Sequence, residues 1–306
     1  MTMSGSTPAP DRVLGTSLIA AGLGTAAVAV LGPLVTGVIR YHASESAVAQ
    51  VAGGDLAGLL LAAPVSIVAG VLVLRRHRAG TVLALAPAGY VGYTATQLAL
   101  GGDVIRYPGN SERFFPLFLG LLVLAIVIAV RAWRGLDPAT LPVASRRVDR
   151  TVGVFALAVA AFLVLGLHLP GLLDAWSPTP SDPGYLADPV VFWLVKLMDL
   201  GLVVPALVAV GGGALRGGDG AQRVRYAAVG WMALLATAVA GMALVMQARD
   251  DPAASVPSTV AFACFAGIGL AVAGMVFRPV LAPGSSTTPV GQGPGTFTGA
   301  VPEVVE

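Results

Sequence analysis

Eight apolar stretches, each about twenty residues or longer, constrain this chain more than any other feature of it. A bilayer's hydrocarbon core is roughly 30 Å thick and takes about 20 helical residues to cross. The stretches cover approximately residues 13–39, 55–74, 79–101, 114–133, 151–173, 189–214, 224–247 and 256–280. Backbone groups inside lipid must be satisfied within their own segment, so each stretch is expected to be a helix. Charge points the same way. Only 11% of the residues are charged and 56% are hydrophobic, whereas soluble domains run at about 25% charged. The expected fold is therefore all-α, a polytopic membrane bundle of eight transmembrane helices over residues 13–281. Residues 1–12 and 282–306 are Ser-, Pro-, Gly- and Thr-rich and are expected to be disordered ends. The first stretch is about twice as long as the apolar core of a signal peptide and is preceded by Arg12 alone, so it reads as a retained span.

Cytoplasmic loops carry an excess of Lys and Arg. With eight spans, the two ends and loops 2–3, 4–5 and 6–7 share thirteen of the 18 cations, including Arg75, Arg76, Arg78, Arg146, Arg147 and Arg150. The opposite side has four, Arg40, Arg106, Arg113 and Arg249. Both termini are thus expected to be cytoplasmic, in a multi-pass protein of the cell membrane. The single cysteine, Cys264, excludes an intrachain disulfide and reads as a small packing residue. Three histidines at unrelated spacings offer no metal motif, and no cofactor motif is present.

The eight spans divide into two sets of four that start on the same side. The second holds Asp55-Leu56, then Pro64, and ends at Arg75; the sixth holds Asp199-Leu200, then Pro205, and ends at Arg216. This suggests a 4+4 internal repeat of the parallel kind used by transporters. The segments Gly53-Gly54-Asp55-Leu56, Gly89-Tyr90-Val91-Gly92-Tyr93 and Met198-Asp199-Leu200-Gly201 through Pro205 resemble those of an eight-helix family of prokaryotic integral membrane proteins. The resemblance covers most of residues 50–280. It implies the architecture and no reaction, because that family has no established activity. At 52–55 this chain reads Ala-Gly-Gly-Asp where family members tend to read Arg-Gly-Gln-Asp.

Charged groups at membrane depth are costly and tend to pair, line a cavity or act. At about 1.5 Å per residue, Lys196 is expected about 10 Å and Asp199 about 15 Å below the outer boundary. Tyr90, Tyr93 and Gln97 fall on one helical stripe of the third span. His168 and Gln247 lie near the outer ends of the fifth and seventh spans, and Asp55 is expected to open the second. These eight residues suggest a polar pocket in the outer half of the membrane. Each also has a plainer reading. Lys196 and Asp199, at i and i+3, form a self-neutralising ion pair, or Lys196 snorkels outward. Asp55 caps its own helix, His168 is a solvated interfacial side chain, and the tyrosines and glutamines pack or bond across helices.

The expected function is a small-molecule or ion carrier whose charged element is Asp199 with Lys196. One alternative is a membrane-embedded lipid-processing enzyme, although no HExxH, GxSxG or paired-carboxylate motif is present and no catalytic residue can be named. The other is an accessory subunit, or a homo-oligomer, packing through the glycine-rich face of Gly267, Gly269 and Gly274. The lipid bilayer is the expected partner, and nucleic acid is not.

Overall fold

The computed structural model describes residues 10–138, 141–142, 145–217 and 219–281. The expected disordered ends, apart from residues 10–12, lie outside the described residues. Those described are all helical, without a strand. Eight long helices follow one another: α1 (Arg12–Leu31), α2 (Glu45–Leu74), α3 (Arg78–Leu100), α4 (Phe115–Gly135), α5 (Arg146–Ala175), α6 (Pro189–Arg216), α7 (Asp219–Ala248) and α8 (Val256–Leu281). Seven are long and apolar enough to cross a membrane. The exception is α3. Its 23 residues suffice in length, but Pro87, Tyr90, Tyr93, Thr94, Thr96 and Gln97 dilute its apolar character. Packed among α2, α4 and α7, α3 is shielded by neighbours and depends less on an apolar exterior.

Two boundaries differ from expectation. The first helix ends at Leu31, where Gly32-Pro33 breaks it, and residues up to Ser44 form a packed connection that buries Ile39, Tyr41 and His42. The second helix starts ten residues before Asp55, with Ser44 as its cap. Asp55 is therefore not an N-cap. It lies about 15 Å along its helix, the same distance as Asp199 from the start of α6. A third correction concerns Cys264, which is exposed on α8 rather than packed.

Helices α2, α5 and α6 share a local device. Each contains a wide π-turn, Gly58–Ala62, Phe162–His168 and Asp199–Val203, followed at the second residue by Pro64, Pro170 or Pro205. Proline has no N–H to give to the carbonyl four residues back, and its ring crowds that carbonyl. In all three helices that carbonyl, of Leu60, Gly166 or Gly201, lies inside the π-turn, which widens the backbone and relieves the clash.

Glycines set the closest crossings. A Cβ on Gly70 would stand 2.7 Å from the Gly15 carbonyl where α1 crosses α2, and one on Gly211 would stand 3.1 Å from the Gly153 carbonyl where α5 crosses α6. Where α2 meets α7, a Cβ on Gly53 would lie 2.3 Å from Met242 Cα, so the two backbones touch. The bundle's outer surface is apolar, with Val123 and Ile126 of α4 and Leu197 and Leu202 of α6 exposed, as lipid-facing residues are.

Candidate functional site

Two polar centres occupy the middle of the bundle, and a third lies at its arginine-poor end. The first is built on Asp199, at the start of the π-turn of α6. Tyr93 of α3 donates its hydroxyl to Oδ1 at 2.6 Å, and His168 of α5 donates from Nε2 to Oδ2 at 2.9 Å. Gln97 donates to the Tyr93 hydroxyl at 3.3 Å. His168 closes the π-turn of its own helix and is 3% exposed, so it is a buried partner of Asp199 rather than a solvated interfacial side chain. Both carboxylate oxygens are thus engaged, and three helices are tied together.

Lys196 does not belong to this centre. Among the described residues no carboxylate lies within 4 Å of its ammonium, so the expected Lys196–Asp199 pair does not form. Its ammonium sits 3.2 Å over the Phe192 ring and turns toward Gly171 and Asp182. The missing Gly171 side chain leaves that room, since a Cβ there would stand 3.4 Å from Nζ and 3.2 Å from Asp182 Oδ2. A ring one turn earlier on the same helix offers the lysine a desolvated cation–π contact, while the aspartate's oxygens are taken by donors from other helices.

The second centre is built on Asp55. It is 6% exposed, and its Oδ2 has no hydrogen-bond partner. Tyr90 is adjacent, but its one proton goes to the Gly54 carbonyl at 3.0 Å. Gly32 closes the other side, where a Cβ would stand 2.6 Å from Oδ2. The Tyr41 hydroxyl is also buried without a partner. Burial first, and then the Asp55 carboxylate, hold that phenol above the usual tyrosine range. A hollow of about 20 Å³ opens here, lined by Asp55, Tyr90, Thr25, Thr94 and Leu98 among others. That is the room of about one water molecule.

Above it, Leu98 also lines a larger cavity of about 290 Å³, together with His42, Ser111, Glu112, Phe115 and Phe118. His42 Nε2 lies 2.6 Å from Glu112 Oε2, and Nδ1 lies 2.7 Å from the Tyr107 carbonyl. Both partners accept while Glu112 is ionised, so the geometry suits hydrogen on both ring nitrogens. The Glu112 hydrogen bond, reinforced by the Tyr107 carbonyl, pushes the His42 pKa above its ordinary value. The connections between helices are knitted together around this cavity. Asp188 accepts from the Ser44 amide at 2.9 Å and from the Ser44 hydroxyl, Arg106 donates to the carbonyls of Leu186 and Ala187, and Asn110 bonds the backbone of Val38 and Arg40.

The eight expected residues therefore divide. Asp199, Tyr93, Gln97 and His168 meet in one cluster; Asp55 and Tyr90 meet in another, beside a hollow. Lys196 and Gln247 join neither, and the buried Oε1 of Gln247 has no partner. Neither of these two hollows is lined by Asp199; both are lined by residues from the first half of the chain. Sequence reasoning passed over His42, Glu112 and Tyr41. Loop residues far apart in the chain create that site, and no spacing announces it. No protein-family model, characterised protein or solved structure matches this chain.

Proposed function

We propose that the chain is an eight-span carrier of the cell membrane, with both ends cytoplasmic, that moves a small solute together with protons through its first half. The observation that carries this reading is Asp55, a mid-helix carboxylate whose Oδ2 has no partner, in a hollow that shares Leu98 with a larger cavity at the arginine-poor end. A carboxylate in lipid-depth surroundings is costly unless a proton, a cation or a ligand's donor meets it. The sequence-based choice of Asp199 as the charged element gives way to Asp55, because Asp199 already has its donors. We read α3 as an eighth span, since its Tyr90 bonds α2 and its Tyr93 bonds α6. The arginine-rich end, where Asp11 meets Arg131 at 3.1 Å and Asp149 meets Arg225 at 2.7 Å, is the cytoplasmic one.

A 4+4 duplication supports the carrier reading. The π-turns of α2 and α6, Pro64 and Pro205, the crossing glycines Gly70 and Gly211, and the exit arginines Arg75 and Arg216 all recur at one constant spacing along the chain. In that register Asp55 corresponds to Lys196, and Asp199 to Gly58, so the two halves place their charges at different steps of the same turn.

The test is proton movement in liposomes loaded with a pH-sensitive dye and offered a low-molecular-weight cell extract. Wild type should acidify the lumen and Asp55→Asn should not, at equal reconstituted amounts. Equal flux from both proteins would contradict the reading. The accessory-subunit alternative has one observation of its own: Gly267 and Gly274 face open space on α8, as a partner helix would require. It predicts a stable co-purifying membrane protein and no flux from the isolated chain.

A further inference from the structure

The arginine-rich end holds two kinds of arginine. Arg75, Arg76, Arg131, Arg134, Arg146, Arg147, Arg150 and Arg216 are exposed. Arg225, near the start of α7, is buried, and Arg78 at the start of α3 and Arg223 on α7 are half-buried; each has one buried guanidinium nitrogen with no acceptor, Nη2 of Arg78 and Nε of Arg223 and Arg225. Arg225 is 3% exposed. One terminal nitrogen reaches Asp149 Oδ1 at 2.7 Å, which offsets that charge; among the described residues no carboxylate stands within 4 Å of Arg78 or Arg223.

Register brings them together. Ala86 packs against Gly230 and Gly89 against the Trp231 ring, so α3 and α7 run side by side in the same direction. Two to three turns back, Arg78 arrives level with the first turns of α7. Arg223, Tyr226 and Gly230 share one helical stripe, and that stripe faces α3. Phe277 of α8 stacks edge-on against Tyr226 at 5.4 Å between ring centres, and α8 ends one turn later at the exposed Leu281.

We propose that Arg78, Arg223 and Arg225 bind a phosphate group, and that in the membrane it is the headgroup of an acidic phospholipid lying between α3, α7 and α8. Guanidinium nitrogens buried without acceptors are costly, and phosphate oxygens match their geometry. Basic pockets between helices at the cytoplasmic boundary suit lipid headgroups, and the apolar end of α8 gives the acyl chains a wall. The exposed arginines are open to solvent, and Arg131 among them already meets Asp11. The site lies at the opposite end from the proposed transport cavity and does not depend on it.

The experiment measures lipid retention and thermal unfolding of the purified full chain with phosphatidylglycerol, with phosphatidylcholine, and with inorganic phosphate. Two charge-assisted hydrogen bonds of ordinary strength predict that phosphatidylglycerol is held about tenfold or more tighter than phosphatidylcholine. Arg78→Gln with Arg223→Gln should abolish that preference, while Arg75→Gln with Arg76→Gln should keep it. If the first pair of substitutions fails to fold, native mass spectrometry of wild type, scored for retained acidic lipid, carries the test. Equal retention of the two lipids, or an unchanged preference in the Arg78/Arg223 variant, would overturn the site. Inorganic phosphate matching the lipid's protection would overturn the lipid assignment.

Discussion

Asp55 and Asp199 sit equally far along their helices, beside π-turns of the same design, and their surroundings are opposite. Asp199 receives a tyrosine hydroxyl and an imidazole from two other helices, which engage both of its oxygens. Asp55 has a tyrosine within reach, but that tyrosine's proton goes to a backbone carbonyl, and the carboxylate faces a small hollow. The backbone device sets where a carboxylate stands. Its neighbours decide whether it ties helices together or stays available for exchange.

The largest expected effect is at the tied centre. Asp199→Ala would strand His168 and Tyr93 as buried donors and should cost about 3–5 kcal/mol of stability in thermal or denaturant unfolding. A loss as small as that of a surface substitution would show that the cluster is not closed. Next comes Tyr93→Phe, which removes a hydrogen bond to a carboxylate and should cost about 1.5–3 kcal/mol, whereas Tyr90→Phe removes one between neutral groups and should cost about 0.5–1.5 kcal/mol. A reversed order would break the contrast. Asp55→Asn should change stability by less than about 1 kcal/mol or raise it, since no hydrogen bond to Oδ2 is lost, and it should still stop proton movement.

The smallest effect is at His42, outside the spans. Its folded pKa is raised above the free value of about 6.5, so its pairing stabilises fully below that pH and the contribution fades as the pH rises through the raised value. Unfolding followed against pH should show this decline, and His42→Gln should flatten it. A contribution that stays constant as the pH rises past that range would contradict the assigned protonation.

Hydropathy carried the helices into view because lipid demands long apolar runs, and the ends of the last four came out within a few residues. The depth of Asp55 stayed hidden because Glu45–Gly54 is rich in Ala, Gly and Ser and reads as a connection. The i, i+3 spacing allowed a Lys196–Asp199 pair, but competition between Phe192 and donors on α3 and α5 decided against it, and that depends on interhelical register. His42 and Glu112, seventy residues apart, meet only because loops fold over one another.

The most direct test exposes the intact protein in its membrane to an apolar carbodiimide, which reacts with protonated, reachable carboxyl groups, and maps the adducts by mass spectrometry. The adduct should form on Asp55 and not on Asp199. Labelling of Asp199 with Asp55 untouched, or of both alike, would contradict the division between them.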